Sequence, residues 1–353
     1  YDVSVAAFDA TNAAVCYRSV DASQNDQWRG KCVHLGRAGT TIAPATAKEY
    51  CPSTCNTQLI SVAAYDATNA AVCMSDTGAG GALLCVYLER SGTTLTPGGF
   101  TSFGNGDTDF VNVATFDATT AAVCFTDATD SDHGKCVRLD LAGNVITADN
   151  PLLFSVGAKF FSSSTATSTA GRSALASTFV GGDGVICYPD DSFAGRTDTG
   201  LGSLGPGALG ACMSIAPAPD ALVYIESEAL VNNAKSSDIS TGAYDTANAV
   251  VCFRDEGDSS KGKCVHLELL VTTIQPGTAV EFEAGATNGI SVATFDATNA
   301  IVCFQATSGK CVYLGRSGTT TTPGTAVAQF EAGGTDGISV ATFDATNAIV
   351  CFQ

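Results

Sequence analysis

Residues 290–305 read ISVATFDATNAIVCFQ, and the same letters return at 338–353 and, with changes, at five earlier places. A chain that repeats one short text builds one kind of structural unit several times. Residues 291–295 are β-branched and aromatic and carry no helical period. Asp296-Ala297-Thr298-Asn299 follows, and Asp and Asn side chains close turns on their own backbone. Residues 300–304 are then apolar at every alternating position, the pattern of a strand buried between two layers. Cys303 lies in that strand and Cys311 in the next apolar stretch, so a hairpin would set the two cysteines across from each other. The unit predicted is a cross-linked β-meander.

The cysteines repeat the pattern. Cys16, Cys73, Cys124, Cys187, Cys252 and Cys303 are each followed by a second cysteine, respectively Cys32, Cys85, Cys136, Cys212, Cys264 and Cys311. The stretch between partners is long after Cys187 and short after Cys303, while the flanking text (AVC and KCV) persists. Metal ligands must converge on one ion and hold their spacing. A hairpin disulfide with a free loop has no such need, and that is the pairing expected. Cys51 and Cys55 form a separate local pair in an insertion, and Cys351, in the last copy, is left over as an unpaired or intermolecular candidate. Several such staples imply an oxidising, extracellular compartment.

The first cysteines recur with a period of roughly 50 residues, which suits about four strands per unit and falls in the range of propeller blades. Residues 1–353 therefore read as a single repeat domain of six full repeats and a half repeat. Unit four deviates: Val180-Gly181-Gly182-Asp183 replaces the usual turn, a Ser/Thr/Ala stretch at 162–173 precedes it, and a Gly-rich loop at 192–210 follows. Long loops of that kind are mobile or functional. The seventh unit stops at Gln353 after two strands. Either the polypeptide continues, which is the simpler expectation, or another chain supplies the missing strands and strand addition drives assembly. A start at Tyr1 fits a processed chain or a fragment. Units apolar on both faces must stack, and stacking about an axis leaves only short edges. The fold class is all-β, a seven-bladed β-propeller with four-stranded blades and one hairpin disulfide per blade. An open β-solenoid is the second choice.

Acidic residues outnumber basic ones, 35 to 17, for a formal charge of −18. Nucleic acid and anionic membrane surfaces would be repelled. No apolar run approaches the roughly 18 residues that span a bilayer. Catalytic chemistry has little to draw on, since no nucleophile elbow, zinc-binding helix or phosphate loop is present. His34 and His266 share one repeat position with Tyr87, Arg138 and Tyr313, so a half-exposed structural site is expected. His133 beside Asp132 reads as solvated. Asp9, Asp66, Asp117, Asp245, Asp296 and Asp344 each begin a turn, and capping that turn accounts for them.

Loop acids cluster at Asp21 and Asp26, at Asp127, Asp130 and Asp132, and at Asp255, Glu256 and Asp258. The Asp127 group is the best placed for calcium, but the spacing of a calcium loop is not met, so charge-bearing solvated loops are expected and no cofactor. Glycan binding normally needs exposed aromatic platforms, and Trp28 is the one tryptophan. No N-glycosylation sequon exists, whereas Ser/Thr clusters at 93–97, 162–173 and 319–325 are candidate O-glycan acceptors.

The text ISVATFDATNAIVCF…GKCVYLGRSGTTTTPGTAV resembles a family of extracellular cysteine-stapled repeats in large secreted proteins of algae, other protists and some bacteria. The resemblance spans nearly the whole chain and is weakest in unit four. It implies propeller blades in surface-display or adhesive proteins, and more loosely the building blocks of algal surface filaments such as mastigonemes. It carries over no catalytic residue. The expectation is thus a non-enzymatic, secreted or cell-surface structural or adhesive module. Its expected partners are other extracellular proteins, copies of itself, or glycans. A lectin with one shallow site per blade is the alternative. A glycan hydrolase with two acids from different blades at the propeller mouth is the third.

Overall fold

The computed structural model describes residues 3–21, 27–51, 55–103, 108–130, 133–155, 176–180, 183–190, 209–218, 221–224, 229–270 and 273–353. The expectations for Asp26, Asp132, the 162–173 stretch and most of the 192–210 loop lie outside these residues.

Unit one contains β1 (Val3–Asp9), β2 (Asn12–Asp21), β3 (Gln27–Ala38), β4 (Thr41–Pro44) and β5 (Lys48–Glu49). Unit two contains β6 (Thr57–Ala64), β7 (Asn69–Asp76), β8 (Ala82–Ser91) and β9 (Thr94–Phe103). In unit three, β10 (Thr108–Thr115), β11 (Thr120–Asp127) and β12 (His133–Ala142) are followed by β13 (Val145–Ala148) and β14 (Leu152–Ser155). Unit four has β15 (Ala176–Val180), β16 (Asp183–Asp190), β17 (Leu209–Ala218) and β18 (Ala221–Tyr224). The long β19 (Ala229–Asp245) pairs first with β17 and then with β20 (Asn248–Asp255) of unit five, so units four and five share a nine-stranded sheet. Unit five continues through β21 (Lys261–Leu269), β22 (Ile274–Pro276) and β23 (Val280–Ala286). Unit six is β24 (Asn288–Asp296), β25 (Asn299–Gln305), β26 (Gly309–Ser317) and β27 (Thr320–Glu331), and unit seven is β28 (Ser339–Asp344) with β29 (Asn347–Cys351).

All pairings are antiparallel between strands adjacent in the meander. The expectation of four plain strands per unit needs one correction. The outer edge is continuous only in units two and six, where the ladder bulges past Pro97 and Pro323 and resumes. In units one, three and five it breaks near Pro44, Pro151 and Pro276 into two short strands beside the same partner. Proline removes a ladder donor, so it sits at a bulge or a strand end.

The cysteines set the register. Cys16 lies opposite Cys32, Cys73 opposite Cys85, Cys124 opposite Cys136, Cys187 opposite Cys212, Cys252 opposite Cys264, and Cys303 opposite Cys311. All six pairs are disulfide-bonded with Cα atoms 4.0–4.1 Å apart, although sequence separation ranges from 8 to 25. Cys51–Cys55 is a seventh disulfide, and Cys351 is a free thiol. Chain-entropy reasoning gives each hairpin staple about 3 kcal/mol, not additively.

The core is divided among the units. Phe8, Ala14 and Cys16 of unit one pack with Ile60, Val62 and Met74 of unit two, and each later unit shares a cluster with the next in the same way. A further cluster joins Phe343 and Ile349 of unit seven to Val5, Val15 and Leu35 of unit one. The second strand of each unit supplies both neighbours, which is why its text is apolar throughout.

Outer strands lock on by a glycine and an aromatic ring. Gly134 and Gly262 face Phe154 and Phe282, and a Cβ at either glycine would lie 2.3–2.4 Å from the ring. Gly262→Ala is expected to destabilise the fold by about 1–3 kcal/mol in chemical denaturation. Gly36→Ala, where a Cβ would meet its nearest neighbour at an ordinary 3.5 Å, is the matched control with a small effect.

Candidate functional site

Each turn aspartate stands at the corner between the first and second strands of its own unit. Asp9 accepts from Thr11 N–H at 2.8 Å and from Asn12 Nδ2 at 2.8 Å, and Asp66, Asp117, Asp245, Asp296 and Asp344 close their own turns in the same manner. The structure adds a partner from the next unit. Arg90 of unit two binds Asp9 at 2.9 Å, Arg316 of unit six binds Asp245 at 2.7 Å, and Arg37 of unit one binds Asp344 of unit seven at 2.7 Å. Each guanidinium also lies over the ring beside its aspartate, at 5.5 Å from Phe8 and from Phe343 and 5.6 Å from Tyr244. Sequence reading missed these arginines. Their signal was present: each stands five residues after the second cysteine of its unit, where units three and five have Leu141 and Leu269.

The consequence is a set of acids held ionised. For Asp9, burial pushes the pKa up, but hydrogen bonds from Thr11 and Asn12 and the Arg90 charge outweigh it, leaving the carboxyl below its usual range. Asp344 is held well below the usual range by Asn347, the Thr346 N–H and Arg37. None of these groups is poised to exchange a proton near neutral pH.

His34 and His266 correct the expectation of half-exposed positions. Both are 1% exposed, and their Nε2 atoms meet the Oδ1 of Asn12 at 2.8 Å and of Asn248 at 3.0 Å. Tyr87 and Tyr313 reach Asn69 and Asn299 from the same position, so the residue serves as a prop for the turn asparagine. Burial first, then the neighbouring Arg90 or Arg316, lowers both histidine pKa values. Below the ordinary value of about 6.5 the unfolded chain takes up protons that the folded chain resists, so stability falls as pH drops. The double variant His34→Tyr/His266→Tyr, which installs the side chain found at Tyr87, is expected to flatten the thermal-stability curve between about pH 7 and about pH 5.

The loop acids are not simply solvated. Asp127 accepts from Thr129 N–H at 3.0 Å and binds Lys135 at 2.8 Å, and Lys135 also binds Asp130 at 2.6 Å. Asp255, 4% exposed, accepts from Gly257 N–H at 3.0 Å and binds Lys263 at 2.8 Å, with Asp258 on the same ammonium at 2.7 Å. A lysine therefore occupies the place where a cation would sit, and His133 approaches Asp130 at 3.4 Å. Glu256 pairs with Lys235. Among the described residues no cluster of three or more His, Cys, Asp or Glu is placed to hold a metal. No helix among them is long and apolar enough to cross a membrane.

The first strands meet at a pocket of about 190 Å³ lined, among the described residues, by every unit except the fourth. Ser4, Ser61, Ser240, Ser291 and Ser339 ring this region, and each hydroxyl accepts a backbone N–H from the following unit: Val62, Val113, Val292, Val340 and Val5, all at 3.0–3.1 Å. At the rim the strands bulge through left-handed residues, Leu59, Phe110, Asp238, Gly289 and Gly337, with φ between 49° and 59°. Asp238 is the one carboxylate among the described residues lining the pocket. Ser61→Ala leaves the buried Val113 N–H without its acceptor and is expected to cost about 1–3 kcal/mol by chemical denaturation.

A second, larger depression of about 430 Å³ lies between units five and six, lined by Glu268, Gln275, Thr278, Thr319 and Thr320 among others. Arg18 lies 4.6 Å above the ring of Trp28 and covers one of its faces. Thr93, Thr94, Thr96, Thr319, Thr320 and Thr322 are exposed, whereas Thr321 is buried.

No protein-family model matches the chain, and none of the curated proteins matches it. Solved structures do. AofleA from Arthrobotrys oligospora aligns over 100% of this chain and 89% of its own, with a TM-score of 0.53 and 8% identity. The β-propeller domain of the Trilobed protease from Pyrococcus furiosus, which has an open velcro topology, aligns over 96% of this chain and 89% of its own, with a TM-score of 0.52 and 6% identity. A Bacteroides uniformis protein assigned as a 6-phosphogluconolactonase covers 89% of this chain and 81% of its own, at a TM-score of 0.55 and 9% identity. The fold is that of the β-propellers. At such identities the likeness extends to fold alone, and each repeat unit can be called a blade.

Proposed function

We propose that the chain is a seven-bladed, extracellular β-propeller that acts as a non-enzymatic structural or adhesive module of a cell-surface coat or filament. The observation that carries this reading is where the repeat's polar chemistry goes. Three of the turn acids, Asp9, Asp245 and Asp344, bind arginines of the next blade, the first-strand serines bind its backbone, and the histidines prop the turn. These groups are spent on joining blades, which is what a load-bearing ring requires. Seven disulfides add resistance to unfolding and fit a secreted protein. The contacts of Phe343, Ser339 and Asp344 with blade one support closure of the ring.

Electron-microscopy class averages of the purified chain test the architecture, with a ring of seven lobes expected. Antibody labelling of intact source cells tests the role, with signal expected on the outer surface. Turnover of glycosidic, lactone or peptide substrates by the purified chain would overturn the non-enzymatic reading.

The depression between blades five and six supports a second reading, carbohydrate binding. Its lining of carboxylate, amide and hydroxyl groups offers both donors and acceptors to a polyhydroxylated ligand. On a glycan array, loss of signal in Glu268→Ala would support this reading, and a silent wild-type array would remove it.

A further inference from the structure

The serine hydroxyls of the first strands have more hydrogen-bonding capacity than blade joining uses. A serine hydroxyl carries one donor and two acceptor lone pairs. In Ser4, Ser61, Ser240, Ser291 and Ser339 one lone pair receives a valine N–H of the following blade. The O–H of each has no acceptor among the described residues. All five serines line the pocket of about 190 Å³, so five blades leave a donor beside one cavity. Ser61 is only 7% exposed, and an unmade hydrogen bond on so buried a donor carries a desolvation cost that an occupant relieves.

An amide and a carboxylate complete the polar lining. Asn112 holds the serine position in blade three and adds a group that both donates and accepts. Asp238 stands two residues before Ser240, 3% exposed, in a left-handed conformation with φ 49°. Blades two, three, six and seven carry Leu59, Phe110, Gly289 and Gly337 at that position, and none of these brings a charge. The left-handed turn does not call for a carboxylate, since glycine makes it at least steric cost. Blade five has therefore set an acceptor-only group in a wall of donors.

That combination selects among ligands. An anion would accept from the hydroxyls, but it meets Asp238 and the field of a chain with net charge −18. A hydrated cation is drawn by the same charge, yet its water shell points hydrogens outward, toward hydroxyls that have their own protons to give. An apolar molecule would leave every one of these bonds unmade. A neutral molecule with several hydroxyl groups accepts from the serines through its oxygens and gives a proton to the bond with Asp238. The cavity is far larger than the roughly 10–15 Å³ that one water needs, which suits a single-ring compound. Donors that come from five different blades reach such a ring from several sides.

We propose that the pocket between the first strands binds a small cyclic polyol, of the monosaccharide or cyclitol class. Asp238 accepts a hydrogen bond from one of its hydroxyls, and the serines donate to its oxygens. A hydroxyl that receives an N–H is polarised into a better donor, so blade joining and ligand binding strengthen each other at the same oxygen. Occupancy therefore stabilises the contacts between blades, and the folded chain gains stability by mass action. The site is separate from the depression beside Glu268 between blades five and six, and it does not depend on what the module adheres to.

The test uses the purified chain with isotope-labelled isoleucine methyl groups. Ile60, Ile239, Ile290 and Ile338 line the pocket, whereas among the described residues no isoleucine lines the depression between blades five and six. Titration with myo-inositol, D-glucose and D-galactose is expected to shift these methyl resonances together and to saturation for at least one of the three, with a rise in melting temperature. Asp238→Gly installs the residue found at Gly289 and Gly337 and should weaken that binding about tenfold. Asp238→Asn, of nearly the same shape, is the second variant, with a loss in the same direction. No shift with any of the three polyols, equal binding by both variants, or saturable shifts with calcium chloride or sodium phosphate in place of the polyols would each overturn the proposal. Polyol binding in calorimetry that leaves these methyl groups unmoved would also overturn it, while the carbohydrate reading of the other depression would stand.

Discussion

The second strand of each blade is apolar on both faces, and the rest of the molecule follows from the need to cover them. Ala70, Val72 and Met74 turn toward blade one while Ala71 and Cys73 turn toward blade three, all at or near zero exposure. A single blade would leave both of these faces in water, at a cost of roughly 25 cal/mol per Å² of apolar surface. Blades therefore stabilise only as neighbours, and each core is the property of an interface. The disulfide works within that scheme. It lies in the middle of the blade at the most crowded level, and it holds the second and third strands in register whatever the loop between them.

Polar chemistry is arranged to the same end. The turn aspartate has two jobs, closing its own turn and receiving an arginine from the next blade, and the arginine covers an aromatic ring while doing so. The serine at the start of the first strand accepts the N–H of the next blade's valine, a donor that no ladder partner can reach across the axis. Such ties are partly exposed and individually modest. They select the neighbour and its angle more than they add stability, since the apolar interface alone would permit sliding. A chain with a net charge of −18 gains from this arrangement, because three of its six turn acids, Asp9, Asp245 and Asp344, meet an arginine where blades join.

Repetition also makes departures readable. Where Leu141 and Leu269 replace the arginine, the preceding turn closes without a cation and the blade interface persists on apolar contact. Blade four keeps its disulfide and its pairing of Val180 with Asp183 despite a changed turn.

Local chemistry was legible from residue order alone. The turn at Asp296, the hairpin that sets Cys303 opposite Cys311, and the two-sided strand between them depend on residues a few positions apart, where alternation and turn propensity act directly. The same reading misjudged His34 and His266, because burial at that position is imposed by the following blade. It overlooked the serine ring and the Arg37–Asp344 tie, whose partners are 307 residues apart. Sequence by itself determined the blade: its strands, its staple and its self-closed turn. Only the tertiary structure decided which acid meets which base, because those pairings arise when separate repeats are packed face to face.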